Sequence, residues 1–297
     1  MYDIIIVGAG PAGLTAAIYA RRANKKVLVL EANTYGGQIV NTKSIENYPV
    51  NPGISGFDFA TKLYNQAKDL GAEIKFEKVI DITEKDVKTP KETYQAKTII
   101  LATGADNRKL KLENEEKLTG KGISYCATCD GAFYKNKIVA VQGGGNTAVE
   151  DAIYLSDIAQ KVYLIHRRDS FKAEEILINE LKTKENIEII LNSTITKLNG
   201  ENKLESVDIT NNNKETKTIE VEALFIAIGQ VPETENFKKL ININEQGYVI
   251  ANEDCKTNIK NIFVAGDNRT KGLRQLVTAT SDGAVAATQA IKYINSK

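Results

Sequence analysis

Residues 3–31 read DIIIVGAGPAGLTAAIYARRANKKVLVLE, and this stretch decides the fold. The β-branched run 3–7 has the character of a buried strand, Gly8, Gly10 and Gly13 follow it as a turn, residues 14–22 carry apolar side chains at helical spacing, and 27–30 is a second buried strand closed by Glu31. Strand, glycine turn, helix and strand make one βαβ unit, and its glycines have separate duties. The first permits a tight turn, the second lets a pyrophosphate reach the backbone, and the third brings helix against strand, so that the helix N-terminus faces phosphate. An acidic residue about 20 positions further on accepts hydrogen bonds from a ribose, and Glu31 occupies that place.

The pattern returns later in the chain. Residues 138–141 lead into the loop GGGNTA, from Gly143 to Ala148, then a helix to about Ser156 and a strand over 162–165. Each copy also closes alike, 98–101 before Ala102-Thr103-Gly104 and 223–226 before Ala227-Ile228-Gly229. The expected fold class is therefore α/β, with two doubly wound, Rossmann-like nucleotide-binding domains. The second copy has no acidic counterpart of Glu31. It offers His166, Arg167 and Arg168, followed by Lys172. A carboxylate there would repel a 2′-phosphate, whereas guanidiniums bind one bidentately, which selects NADPH over NADH.

Residues 109–121 are rich in charge and lack apolar periodicity, which reads as an exposed connection near 113–116. Residues 230–244 read as irregular chain. The strand expected over 259–265 needs a sheet to join, and the tail is too short to fold alone. The expected organisation is a discontinuous first domain, 1–113 with 245–297, and an inserted second domain, 114–244. Asn199-Gly200 and residues 211–213 are hairpin signals within the insert.

The chain has 297 residues, with 39 Lys and Arg against 38 Asp and Glu. With no long basic block in the sequence, this balance does not indicate sequence-independent attraction to nucleic acid or anionic membrane. The first residues enter a strand directly and no apolar run approaches a spanning length, so a soluble cytoplasmic protein is expected. In that reducing compartment three cysteines do not form a structural disulfide framework. Cys126 and Cys129 stand in Cys-Ala-Thr-Cys-Asp, just ahead of the second glycine loop. They are either a redox dithiol or, together with His166 and Cys255, a Cys₃His zinc site. The spacing favours the dithiol and no metal, because His166 belongs to the basic cluster and Cys255 is isolated. Asp130 is the acidic group beside the pair and, with one histidine in the chain, the local candidate for moving a proton; an ordinary surface aspartate is the other reading. Two nucleotide sites and a dithiol make an electron relay, with a flavin as the natural intermediate between two-electron carriers. A redox sensor that reports its dithiol state without turnover is a reading from another class.

From GAGPAG through Cys-Ala-Thr-Cys-Asp, GGGNTA and His-Arg-Arg-Asp to Gly266-Asp267 and Arg274-Gln275, the chain resembles the low-molecular-weight, bacterial-type thioredoxin reductases over essentially its whole length. The resemblance implies a homodimer that passes electrons from NADPH through FAD and a dithiol to thioredoxin. It implies FAD in the first domain, held by Gly8, Gly10, Ala12, Gly13, Glu31, Gly37, Gln38, Asn47, Thr103, Gly104, Gly266, Asp267 and Gln275, with the helix beginning near Arg274 facing the flavin. NADPH would be held by Gly145, Asn146, Thr147, Ala148, His166, Arg167, Arg168 and Lys172. Cys129 would face the flavin, Cys126 would attack the thioredoxin disulfide, and Asp130 would protonate the departing thiolate. Lys121 and Phe133 flank the dithiol as candidate contacts for thioredoxin. The resemblance further implies rotation between the domains, fitted by connections near 113–120 and 237–244. Relatives that draw electrons from ferredoxin lack the basic cluster that Arg167 and Arg168 form here. Three residues depart from the family pattern. Lys172 replaces a usual arginine, Val50 a usual glycine, and Gln142 a usual apolar residue.

Overall fold

In the computed structural model, which describes residues 1–42 and 44–297, the opening unit is built from strand Tyr2–Val7, helix Pro11–Arg22 and strand Val27–Glu31. Tyr2–Val7 pairs in parallel with Val27–Glu31 on one side and Thr93–Leu101 on the other, and Glu73–Phe76 extends the sheet beyond Val27–Glu31. Thr93–Leu101 has two characters. Its first half alternates exposed and buried residues and pairs antiparallel with Asp86–Lys88, whereas residues 98–101 are buried throughout and 99–101 line up in parallel with Ile262–Val264 from the returning tail. A continuous apolar run marks a strand covered on both faces. One cover is the pair of helices Pro11–Arg22 and Leu276–Asn295, which pack against each other through Ala12, Ala16, Gly283, Ala286 and Ala287. A Cβ on Gly283 would overlap the carbonyl oxygen of Ala12, so the two backbones are as close as glycine allows.

The second nucleotide-fold unit repeats this order. Ile187–Ile190, Lys161–Ile165, Ile138–Gly143, Ala223–Ala227 and Ile123–Ser124 form a wholly parallel sheet. Helices Asn146–Ser156 and Glu175–Leu181 accompany it, and Ser193–Asn199, Ser206–Asn211 and Thr216–Glu220 form an antiparallel sheet of their own. Its two turns fall at the predicted hairpin signals. Gln142 is buried, and its side-chain oxygen accepts the Ile195 amide at 3.3 Å, beside the register shift between Ile195 and Lys197. A polar residue thus suits this strand because it satisfies a backbone donor at an irregular point.

The chain divides into two compact units, Met1–Asp106 with Val231–Lys297, and Asn107–Gln230. The crossings lie at 106/107 and 230/231 rather than at the expected 113/114 and 244/245. Glu115 explains the first difference. Its carboxylate is 2% exposed and accepts the amides of Leu110 and Lys111 at 2.9 and 2.7 Å and the Tyr125 hydroxyl at 2.7 Å, while Leu118 enters the core of the second unit. A charged stretch that reads as linker is in fact folded around one buried carboxylate. On the other side, Phe237 and Ile241 are buried in the core of the first unit. The crossing segments themselves, Ala105–Asn107 and Gln230–Pro232, pair as a two-stranded ribbon, so the expected connections near 113–120 and 237–244 are not the crossing points. No helix among the described residues is long and apolar enough to cross a membrane.

Replacing Gly283 by Ala is expected to push the two helices apart and cost about 1–3 kcal/mol of stability. Urea denaturation checks this, and an unchanged midpoint would show slack at the contact.

Candidate functional site

In the first glycine turn, Gly8 has φ +108°, a conformation that side chains disfavour, and a Cβ there would overlap the carbonyl oxygen of Ala102. Gly13 is pressed in the same way onto the Gly8 carbonyl. Gly10 differs, because a Cβ there would meet nothing within 4 Å. Protein atoms therefore account for two of the glycines, and open space stands before the one whose backbone a pyrophosphate must approach. Ala12 is buried behind the turn, and Gly37, at φ +61°, stands 3.5 Å from the Gly10 Cα at its Cβ position. The Glu31 carboxylate is anchored beside the turn, accepting the amides of Ala9 and Asn33 at 2.7 and 2.9 Å.

The other residues expected around this ligand are linked to one another. Asn47 donates to the side-chain oxygen of Gln275 at 3.0 Å, and Gln275 caps the C-terminal helix in a reciprocal box with Thr278. Gln38 donates to Asp106. Thr103 donates to the Glu233 carbonyl at 2.6 Å and accepts from Asn268 at 3.0 Å, next to Gly104. Arg274 lies 4.1 Å over the Tyr248 ring and reaches the backbone oxygens of Asp267 and Arg269. Asp267 Oδ1 is buried with no hydrogen-bond donor among the described residues, and burial pushes its carboxyl above the usual range. An orphaned acceptor of this kind is costly unless something donates to it. The open space at Gly10 and this acceptor fit a dinucleotide that carries hydroxyl groups.

Behind Gly266-Asp267 lies a cluster that sequence reasoning missed. Asp282, from the C-terminal helix, accepts the Gly266 amide at 2.9 Å, both Arg269 Nε and Nη2 at 2.8 Å, and Lys271 Nζ at 2.9 Å. The side chains of Arg269, Lys271 and Asp282 are 2%, 4% and 6% exposed. Burial alone would raise Asp282, but the hydrogen bonds from Arg269 and Lys271 outweigh it and hold the carboxyl below the usual range. Asp282 and its partners are separated in sequence by irregular chain, so no periodicity announces them.

The second glycine turn follows Ile138–Gly143. A Cβ on Gly143 would overlap the Ala227 carbonyl oxygen, whereas one on Gly145 would again meet nothing within 4 Å. Asn146 and Glu174 bond reciprocally, at 2.8 and 2.9 Å, and the Lys172 amide donates to the Gly144 carbonyl at 2.7 Å. Thr147 is exposed and Ala148 buried beneath it. His166 is buried, its ring fills the space a Gly144 side chain would need, it stacks on Phe171, and Nε2 faces the Ser170 carbonyl at 3.1 Å. Burial pushes its pKa down, so the neutral ring shapes the turn from beneath instead of presenting a charge. Arg167, Arg168 and Lys172 are exposed, and none forms an ion pair among the described residues. Val50 is fully exposed at φ +72°, a conformation that favours the glycine usual there.

Cys126 and Cys129 form a disulfide with S–S 2.04 Å. Cys126 follows strand Ile123–Ser124, and the short helix Ala127–Asp130 carries Cys129. In register, Ser124 and Val141 both pair with Phe225, so the disulfide and the second glycine turn leave the same carboxyl edge of the sheet, from strands roughly 10 Å apart across two strand spacings. Asp130 is half-buried; burial pushes its carboxyl up, and a 2.6 Å hydrogen bond from the Ser124 hydroxyl opposes that. Cys255 lies fully buried in the core of the first unit, where burial pushes its thiol up to about 12. The four ligands of the zinc alternative are thus engaged separately.

The profile of the pyridine nucleotide-disulphide oxidoreductase family matches residues 2–283. A thioredoxin reductase of Listeria innocua is 45% identical over 300 residues, covering 99% of this chain and 94% of that protein. A 34.2 kDa protein encoded in a rubredoxin operon of Clostridium pasteurianum is 46% identical, covering 99% and 98%. The crystal structure of a thioredoxin reductase from Streptococcus pyogenes superposes with a TM-score of 0.94 at 39% identity, covering 100% of this chain and 99% of the other. The chain belongs to the pyridine nucleotide-disulphide oxidoreductase family, in its low-molecular-weight thioredoxin reductase branch. Proteins of this family use a flavin and a pyridine nucleotide, and the two open glycine turns suit those ligands.

Asp282→Asn leaves Lys271 buried against a neutral partner and Arg269 with only the longer, exposed pair to Glu253 at 3.4 Å, and is expected to cost about 3–5 kcal/mol at neutral pH. The folded-state carboxyl is depressed, so its contribution is present above the ordinary carboxylate pKa of about 4 and is lost as pH falls through the lower folded value. The gap between wild type and variant in urea denaturation should therefore narrow below about pH 4.

Proposed function

We propose that this chain is an NADPH-dependent thioredoxin-disulfide reductase, a cytoplasmic homodimer catalysing NADPH + H⁺ + thioredoxin disulfide → NADP⁺ + thioredoxin dithiol. The observation that carries this reading is the Cys126–Cys129 disulfide, with half-buried Asp130 beside it, on the same sheet edge as a glycine turn flanked by exposed Arg167 and Arg168. In this reading the first unit holds FAD and the second holds NADPH. The flavin, when bound, supplies the two-electron relay between the nicotinamide and the disulfide.

The chain's own residues do the rest. Gly10 and Gly145 leave room for the two pyrophosphates, Glu31 would take the adenosine ribose of FAD, and Asp267 would take a hydroxyl of the flavin side chain. Gly37, Gln38, Asn47, Thr103, Gly104, Arg274 and Gln275 complete the first cradle, and Asn146, Thr147 and Ala148 the second. Arg167 and Arg168 grip the 2′-phosphate bidentately with Lys172 as a point charge, and His166 supports the turn. Cys129 would accept the electron pair that the flavin supplies when bound, opening the disulfide into the Cys126 and Cys129 thiolates. The Cys126 thiolate then attacks one sulfur of the substrate disulfide, Asp130 gives its proton to the departing thiolate, and the Cys129 thiolate attacks Cys126 Sγ to release the second sulfur. The two protons gained by thioredoxin equal the two given up by the enzyme thiols. Exposed Lys121 and Phe133 flank the dithiol as contacts for thioredoxin.

Anaerobic titration of the flavin-loaded protein should bleach the flavin at near-stoichiometric NADPH and much more weakly with NADH. A yellow protein that neither nucleotide reduces would overturn the NADPH assignment and bring ferredoxin forward as donor. Arg167→Ala with Arg168→Ala removes two charge-assisted contacts of about 1.5–3 kcal/mol each. KM for NADPH should rise by at least roughly 100-fold, since about 1.4 kcal/mol is tenfold, with little change for NADH; equal losses for both would make the cluster a general surface feature.

A further inference from the structure

Asp130 does not stand alone beside the disulfide, because Ser124, buried at 5% exposure, touches it from the end of the preceding strand. The Ser124 hydroxyl lies 2.6 Å from Asp130 Oδ2 and 3.3 Å from the Cys126 carbonyl oxygen, and it accepts the Cys126 amide at 3.1 Å. A hydroxyl carries one proton and two lone pairs. With Asp130 charged, its proton goes to the carboxylate and one lone pair takes the Cys126 amide. With Asp130 neutral, the carboxyl donates to the second lone pair and the Ser124 proton turns to the Cys126 carbonyl. Both protonation states are satisfied by rotation of one bond, without movement of Asp130 or of the backbone that carries Cys126.

From this geometry we infer that Ser124 is a positioning residue for proton delivery, holding Asp130 in one place beside the dithiol before and after the carboxyl gives its proton to the departing thiolate. The inference rests on the reductase reading above and deepens it. In that step the O–H bond of Asp130 breaks and an S–H bond forms on the thioredoxin sulfur. The carboxylate left behind accepts the Ser124 hydroxyl and is reprotonated from solvent, which receives the protons of the enzyme thiols. The hydroxyl donates more strongly to the anion than it accepts from the acid. Removing it should therefore raise the proton affinity of Asp130, which burial has already raised.

Other titrating groups surround this site. Tyr134, on the turn Gly131–Tyr134, is raised by burial and then by the charge of Asp130. Helix Asn146–Ser156, packed against Ala127–Asp130, carries Glu150 and Asp151, and burial followed by Glu150 pushes Asp151 up to about 7. The two thiols titrate as well once the disulfide is reduced. The test must separate Asp130 from all of these.

The measurement is the pH profile of kcat for thioredoxin reduction in the flavin-loaded enzyme, for wild type, Ser124→Ala, Ser124→Thr, Asp130→Asn and the Ser124→Ala/Asp130→Asn double variant. Loss of a hydrogen bond to a charged group corresponds to about one pH unit or more. Ser124→Ala should move the alkaline limb up by that amount, and Ser124→Thr, which keeps the hydroxyl, should restore it. In the Asp130→Asn background, where Tyr134, Asp151 and the thiols still titrate, adding Ser124→Ala should move nothing. A uniform drop in kcat with an unmoved limb, or an equal shift in the Asp130→Asn background, would overturn the inference while leaving thioredoxin reduction by the wild type intact. If Ser124→Ala does not fold, Ser124→Gly replaces it in the same comparison, and an unmoved limb in that variant counts against the inference equally. Absence of thioredoxin reduction in the wild type would instead reject the underlying functional reading.

Discussion

The structure depends on how closely two stretches of backbone can approach each other at the ends of two parallel strands. At Gly8, Gly13 and Gly143 the neighbour of the missing side chain is a main-chain carbonyl of the protein, and at Gly10 and Gly145 it is open space. The first kind of contact brings the helix onto the sheet and sets where its first turn lies. The second kind leaves bare amide backbone in front of that turn, with the partial positive charge that helix N-termini carry. One steric economy therefore both closes the fold and opens the site. The packing of Gly283 on the Ala12 carbonyl is the same kind of approach between two helices.

Charge is handled in two opposite ways. Asp282 and the groups that donate to it are buried and matched, with two cations and a backbone amide on one carboxylate. Such a cluster fixes a loop and offers nothing to a ligand. Arg167, Arg168 and Lys172 are exposed and unmatched among the described residues, which leaves their donors for an incoming anion. Asp267 lies between the two kinds, since it is buried like a structural residue but has an oxygen that no donor among the described residues reaches.

The glycine turns, the strands around them and the cysteine pair were legible in the sequence because each is a local pattern, with period, spacing and chemistry within about 30 residues. The crossings were not, because composition reported the charge of residues 109–121 while Glu115 turned that charge inward onto backbone amides and Tyr125. His166 was legible as part of a basic triplet, yet the backbone turns it under Gly144 while its neighbours face outward. Gln142 looked like a departure until the Ile195 amide it satisfies was visible. Asp282 and Ser124 carry no signature of their own. Their meaning comes from what the fold places beside them.

The ribbon formed by Ala105–Asn107 and Gln230–Pro232 bears on how such a chain can arise. Gln230 donates to Asn107 at 3.0 Å and Arg108 to the Gly229 carbonyl at 3.0 Å, so the inserted unit begins and ends at one spot. On the host side, the Glu233 amide reaches the Gly104 carbonyl at 3.1 Å. To the host sheet, 124 residues of foreign chain look like a tight turn, and to the insert its own termini are already neighbours. Ends that meet are what domain insertion and circular permutation require. The architecture is thus a cassette within a host, in which either part can be exchanged or can diverge in ligand without redesigning the other's topology.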